Sequence, residues 1–517
     1  MSLQAEADLL TAGAVGLGDP SESSGLSSGG ELLRPGADGL FSSQTVRGGA
    51  YLAARYGLGV IVSLGTMLIM TWWIGPHAYG LFVTAIGLVA FLSSLARAGA
   101  DTYLVRREAT PDVHLYEVAG TLILLVSMGL ALTGAALVPM LVRWYGSREF
   151  VAPYLLLLLS IPVSGLAGVP MAKLERKLNF RSVAGIELGG QSLGLVVATT
   201  LAWLKLGVWA PVAGQIAWQT FVLIAACVSA SMVPRLRCDI GETREMLWFG
   251  IGLTASLRAW QLRTLVNPLL VGRFAGAEGV AFVALALRIA EALGTFRLAA
   301  GRMAIAALAR LQNKREEFRT ALERALYLQV ITLGPLLCVF SLLGPFIVRH
   351  VIGTRWTPSL VVYPFVAAGV LVNSIYNLQA SALFVRGQQW TVMRSYLAHV
   401  VLLGGGTLVL LPHFGIVGYG WAELLGCSAY CLIHTGLART VVISYRKLMP
   451  GLAIFLALLF ADIIGRGRTP WLWLLVLAGT TIWKGRGVLP IMFWHRARHS
   501  QDRFARNWYS RKPMEGG

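Results

Sequence analysis

Residues 141–153 read LVRWYGSREFVAP, and residues 347–359 read IVRHVIGTRWTPS. Both run Val-Arg, then Gly, then Arg two residues after that Gly, then an aromatic, then Pro. Two more pairs follow at a similar spacing of about 200 residues, the kind of long period that marks an internal duplication. LGVWAPVAGQIAWQ (206–219) resembles FGIVGYGWAELLG (414–426), with Gly207 matching Gly415. GPHAYGLF (75–82) resembles GRFAGAEGVAF (272–282), with Gly75 matching Gly272. All three pairs keep the same order along the chain.

The surroundings of these motifs say what is duplicated. The chain has 517 residues, of which 56% are hydrophobic and only 13% charged, and its mean hydropathy is +0.65. A soluble domain usually carries about a quarter charged residues. The apolar residues form about fourteen runs of roughly 20, the length a helix needs to cross about 30 Å of hydrocarbon. The expected fold class is therefore an all-α polytopic membrane protein. The motif pairs fall in the connections after spans 1, 3 and 5 and after spans 7, 9 and 11. Spans 1–6 and 7–12 read as two copies of one six-helix unit. Six is even, so both copies share one orientation, a parallel repeat around a central cavity.

The expected organisation is a disordered tail over 1–45, an N-terminal six-helix bundle over 46–240 and a C-terminal six-helix bundle over 241–445. Two additional helices occupy 446–484, and a basic tail occupies 485–517. The tail at the start is Gly- and Ser-rich, with no basic stretch leading into an apolar run, so no signal peptide is expected. Residues 309–326, ARLQNKREEFRTALERAL, read as a helix at the membrane surface or one leading into the next span.

Lysine and arginine number 44, and the net charge is +19. About 32 of the cations fall in alternate connections and the tails, against about 8 on the other side, which places both termini in the cytoplasm. The basic tail suits anionic lipid better than nucleic acid. The five cysteines, two of them (Cys427 and Cys431) four apart, have no His or acidic cluster beside them. They read as small core residues, with no metal or cofactor expected.

Charges inside spans mark candidate sites, because burying them in hydrocarbon is costly. Arg55 sits about two turns into span 1 and reads as a phosphate contact or as a side chain reaching the headgroups. Span 7 holds Arg258, Arg263 and Asn267, and Arg263 shares a face with Asn267. A cavity role for at least one arginine competes there with an internal ion pair. Span 8 holds Arg288 and Glu291 at i, i+3, read as a self-neutralising pair or as a protonatable switch beside a substrate-binding cation. Glu187 and Glu423 are further coupling candidates, with Glu423 expected in solvent near a helix end. In span 10, Asn373, Tyr376 and Asn377 share a face and could bind sugar or join helices. No nucleotide-binding loop is present, since no Lys-Ser/Thr follows a strand–glycine turn. Transport would then be driven by something other than ATP.

Residues 46–107, which contain VRGGAYLAARYGLGVIVSLGTMLIMTWWIGPHAYGLF, resemble the start of Wzx-type polysaccharide flippases. These belong to the multidrug/oligosaccharidyl-lipid/polysaccharide exporter superfamily. MAKLERKLNFRSVAGIE (171–187), LLVGRFAGAEGVAFVALALRIAE (269–291) and GTRWTPS (353–359) extend the resemblance over roughly 45–450. It implies a non-enzymatic flippase in a bacterial inner membrane that moves undecaprenyl-pyrophosphate-linked oligosaccharide for O-antigen, capsule or exopolysaccharide export. The implied partners are the lipid-linked oligosaccharide, membrane lipids, a polysaccharide polymerase and chain-length proteins. Two relatives of this fold are the alternatives: a lipid II flippase, and a multidrug/cation antiporter, which commonly carries an acid in span 1 where this chain has Arg55. A membrane glycosyltransferase or polymerase would need a long external loop, and no external connection here exceeds about fifteen residues by hydropathy spacing.

Overall fold

The structure, a computed structural model, describes residues 37–465 apart from 98, 108–110, 233–234, 296–307, 309–310 and 312–313. The described residues are helical, with no strand among them. Helix α1 spans Ala37–Ala96 and α2 spans Ala100–Arg106. Next come α3 (Val113–Ala136), α4 (Val138–Tyr145), α5 (Val151–Leu158), α6 (Ser160–Arg176), α7 (Phe180–Trp203) and α8 (Trp209–Ser229). The second part comprises α9 (Ile240–Gln261), α10 (Gly272–Leu293), α11 (Arg315–Ile347), α12 (Pro358–Val385), α13 (Gln389–Phe414), α14 (Ile416–Cys427), α15 (Cys431–Ala438) and α16 (Met449–Gly465). Among the described residues, nine helices are long and apolar enough to cross a membrane.

The first helix begins at Ala37, so residues 37–45, expected as disordered tail, are helical. Residues 315–326 of the stretch read as 309–326 belong to the next span's helix, since α11 runs unbroken from Arg315. Residues 466–484, expected to hold the last span, lie outside the described residues, as does the basic tail.

The corners explain the repeated motifs. Six of them turn on a glycine with φ in the left-handed region: Gly75, Gly146 and Gly207, then Gly276, Gly353 and Gly415. An L side chain resists that conformation, so the turn selects glycine. Gly75 (φ 71, ψ 172) and Gly276 (φ 69, ψ −172) break α1 and α10 in the same way. The conformational counterpart of Gly75 is therefore Gly276. Gly272, its partner by sequence likeness, has ordinary helical angles. The corners lie at one end of the bundle, and the arginine-rich connections lie at the other.

Helices pack closely where side chains are small, the usual device where lipid removes any hydrophobic drive for association. Gly190, Gly194 and Ala198 form a stripe on α7 facing α8. A Cβ on Gly194 would stand 2.8 Å from the Gly214 carbonyl oxygen. Between α9 and α10 the helix is not regular. Leu262–Leu265 is a 3-10 turn and Asn267–Val271 is a π turn. Pro268 lacks the N–H that a regular helix would use there. The carbonyls around it are taken up by neighbouring side chains, as buried backbone in a membrane requires.

Candidate functional site

Residues 37–229 and 240–465 meet along a seam closed at both ends by named contacts. At the glycine-corner end, Trp356 Nε1 donates to the Thr71 carbonyl oxygen at 3.0 Å. Trp356 is 1% exposed and lies edge-on to Tyr79 (5.6 Å) and Phe282 (6.1 Å). In the matching motif, Trp144 Nε1 donates to the Leu269 carbonyl oxygen (2.8 Å) and Tyr145 Oη to the Pro268 carbonyl oxygen (3.0 Å). Each motif thus holds backbone belonging to the other part of the chain. Gly80 completes this end, because a Cβ there would collide with the Ala277 carbonyl.

At the arginine-rich end, Glu242 on α9 lies 3.8 Å from Arg107 and 3.6 Å from His114. Arg237 Nε pairs with the buried carboxylate of Glu117 at 3.1 Å, and the Arg237 N–H donates to Thr121 Oγ1 at 2.8 Å. The α2–α9 contact is intimate, with a Cβ on Gly99 falling 2.5 Å from Gly250 Cα. Tyr103 on α2 is pushed up to about 12, first by burial and then by the nearby Glu245 carboxylate, so its phenol stays protonated.

The intramembrane charges divide into separate groups. Arg263 is largely buried and contacts two side chains. Its Nη2 lies 3.8 Å from Glu423 Oε1 on α14, and its guanidinium stacks 4.6 Å from the Trp260 ring centre. Glu423 was expected in solvent and is instead 3% exposed. The turn bearing it is covered by α12, where Gly369 leaves room for the carboxylate. Glu291 on α10 acts electrostatically on the same arginine. The Glu291 and Arg288 side chains, three residues apart, form no ion pair with each other among the described residues. Arg288 is half-buried and within electrostatic range of Tyr79 on α1.

The face of Asn373, Tyr376 and Asn377, read as binding sugar or joining helices, contributes to an aromatic stack. Asn373 Nδ2 donates to Tyr430 Oη at 2.7 Å, and Tyr376 stacks on Tyr430 with ring centres 5.2 Å apart. Tyr430 stacks in turn on His399 (5.2 Å), and His399 lies 5.3 Å from Trp260. The stack therefore runs from α12 to the Arg263–Glu423 pair. Asn267 Nδ2 donates to the Val280 carbonyl oxygen at 3.3 Å, tying the π turn to α10. Asn377 is half-buried, and its carbonyl accepts from Ser381 Oγ at 3.0 Å. Arg258 and Glu187 are half-buried and interact with other groups. Arg55 lies on α1, but its side chain is outside the described residues.

His399 and Tyr430 were not singled out from sequence. A histidine within an apolar span is a visible signal, but its partners at position 260 and position 430 are too distant to read.

Residues 69–361 match the model of a family described as polysaccharide biosynthesis protein. The succinoglycan biosynthesis transport protein ExoT of Rhizobium meliloti (strain 1021) is 24% identical over 437 residues, 79% of this chain and 85% of that protein. The fold is similar to the lipid II flippase MurJ in an inward closed conformation, with a TM-score of 0.67 at 14% identity over 86% of this chain and 96% of that one. It is also similar to an inward-facing multidrug resistance transporter of the MATE family, with a TM-score of 0.59 at 14% identity over 78% of this chain and 95% of that one. With more than half its length matched by the family model, the chain belongs to the polysaccharide biosynthesis protein family.

Proposed function

We propose that the protein flips an undecaprenyl-pyrophosphate-linked oligosaccharide across a bacterial inner membrane by alternating access, supplying an exopolysaccharide or a related surface polymer. Residues 46–240 and 241–445 are the two halves that move. The glycine-corner end faces outward and both termini lie in the cytoplasm. One observation carries the mechanism: the named polar and aromatic contacts between the halves cluster at the two ends of the seam. Either set can part without unfolding a bundle, so one end opens while the other holds. The family supports a polysaccharide precursor as cargo, and the relative's name, succinoglycan biosynthesis transport, points to an exopolysaccharide.

The cargo's pyrophosphate needs cations along its path, and its lipid tail can stay in the bilayer. Arg55, Arg258 and Arg288 are the arginines assigned to that path, because guanidinium meets phosphate with paired donors. Arg263 is held by Glu423 in the interior of the second half. Glu423 and Glu291, both acting on Arg263, are the acids assigned to coupling. Glu187 is a weaker candidate because it sits apart from that group.

Mass spectrometry of lipid extracts from cells lacking the protein tests the reading. Accumulated polyprenyl-pyrophosphate oligosaccharide is expected, and its sugar composition identifies the cargo. A lipid-linked precursor bearing peptide would favour the lipid II alternative, which the fold similarity to that flippase supports. No accumulated lipid, together with new sensitivity to cationic dyes, would overturn the proposal in favour of an exporter.

A further inference from the structure

A crevice of about 630 Å³ opens between α3 and α9 at the arginine-rich end. It belongs to neither the aromatic stack nor the arginines assigned to the cargo path. Its floor is apolar: Val118, Leu122 and Leu125 from α3 face Leu247 and Trp248 from α9. Its rim is basic, formed by Arg237 and Arg244. We propose that this crevice binds a bilayer phospholipid with an anionic headgroup, its phosphate between Arg237 and Arg244 and one acyl chain along the apolar floor.

Charge supports this occupant. Arg244 is exposed and has no carboxylate partner among the described residues. Arg237 meets Glu117 through Nε, which leaves its terminal nitrogens to the rim. The nearby acids are already engaged. Asp239 Oδ1 accepts from the N–H groups of Gly241 (2.8 Å) and Glu242 (3.1 Å), capping α9. Glu242 faces Arg107 and His114, and Glu245 faces Tyr103.

Depth and exposure agree with a lipid. Both helices start at this end, so the rim lies at their first turns. From Val118 to Leu125 the floor descends about 10 Å at 1.5 Å per residue, within the roughly 15 Å of hydrocarbon in one leaflet. The open side carries Leu125 (63% exposed) and Trp248 (71% exposed). An indole at that depth suits the membrane boundary. A soluble peptide would leave those side chains against lipid, whereas an acyl chain covers them. The orientation proposed above decides only that the leaflet is the cytoplasmic one. Because α3 and α9 belong to different halves, an occupant bridges the seam and favours its closed arrangement at this end.

Native mass spectrometry of the purified full chain, delipidated and then offered dioleoylphosphatidylglycerol or dioleoylphosphatidylcholine, reads the binding directly. Wild type should retain the anionic lipid over the zwitterionic one, and Arg244→Gln should lower that retention about fivefold. Leu125→Trp, an exposed substitution that fills the floor, should lower retention of both lipids. Equal retention of phosphatidylglycerol by wild type and both variants would overturn the proposal. So would stronger retention of polyprenyl phosphate than of phosphatidylglycerol, since the crevice would then be a station for cargo. Lipid retention is measured without transport, so its failure is distinct from failure of the flippase reading.

Discussion

The Trp356 indole N–H donates to the Thr71 carbonyl oxygen across 285 residues of sequence. In the matching motif, Trp144, which precedes the motif glycine where Trp356 follows it, donates to the Leu269 carbonyl oxygen across the seam in the opposite direction. Two repeats of one motif therefore latch one seam reciprocally. Replacing Trp356 by Phe removes the donor but keeps most of the ring, at a cost of about 0.5–1.5 kcal/mol. That cost falls on the closed seam more than on either bundle, so the outward-open population should rise. In a background without the native cysteines, Cys at position 71 should react faster with a membrane-impermeant maleimide when Trp356→Phe is added. Unchanged labelling would mean that this bond does not hold the seam.

The buried Arg263–Glu423 pair makes a different prediction. Removing one partner of a buried pair strands the other charge, at a cost of about 3–5 kcal/mol. Arg263→Ala and Glu423→Ala should each lower the melting temperature and the amount of folded protein in detergent. The double variant Arg263→Met with Glu423→Leu strands no charge and should regain most of that stability. If the acid serves coupling, the double variant stays folded and still fails to export polysaccharide. If it exports normally, the pair is structural.

The kink glycines can be tested apart from packing. Gly276 has φ 69 and nothing within 4 Å of where a Cβ would stand. Gly276→Ala therefore costs only the positive-φ, extended-ψ conformation that glycine alone adopts easily, about 1–3 kcal/mol. Gly272, with helical angles, should accept Ala at a smaller conformational cost, although its Cβ would meet the Tyr145 ring at 2.9 Å. Size-exclusion profiles after graded heating should show a larger loss for Gly276→Ala. The opposite order would mean that Tyr145 crowding outweighs the corner.

These results show which information the sequence carried. Hydropathy placed the helices because every backbone polar group in lipid must be satisfied within a segment. The corner motifs marked the turns because only glycine adopts their angles easily. Gly272 and Gly276 lie about one helical turn apart on nearly the same face, so the sequence pattern does not separate them. The site was less legible. Glu423 lies two turns into α14 and looked solvated, but α12 covers that turn, and no local pattern reports the cover. Arg288 and Glu291 have the i, i+3 spacing of a pair or of a switch beside a cation, yet no ion pair joins the two among the described residues. Tertiary neighbours decided each of these cases.

Arg288 supplies the sharpest test of the cargo path. It sits 12 residues beyond the Gly276 kink, about 18 Å down the helix at 1.5 Å per residue, close to mid-bilayer. It is half-buried on α10 near Tyr79 of α1, so it lies where the two halves meet. It is not in the ion pair that holds Arg263, so Arg288→Ala strands no acid known to depend on it. Folded yield and melting temperature should stay close to wild type, whereas Arg263→Ala should lower both. Polysaccharide export should fall at least tenfold with Arg288→Ala, the effect of losing about 1.4 kcal/mol of charge-assisted phosphate contact. Arg288→Lys keeps the charge but not the paired donors, and should restore export in part. Full export by a well-folded Arg288→Ala protein would remove this arginine from the path and leave Arg55 and Arg258 to meet the pyrophosphate.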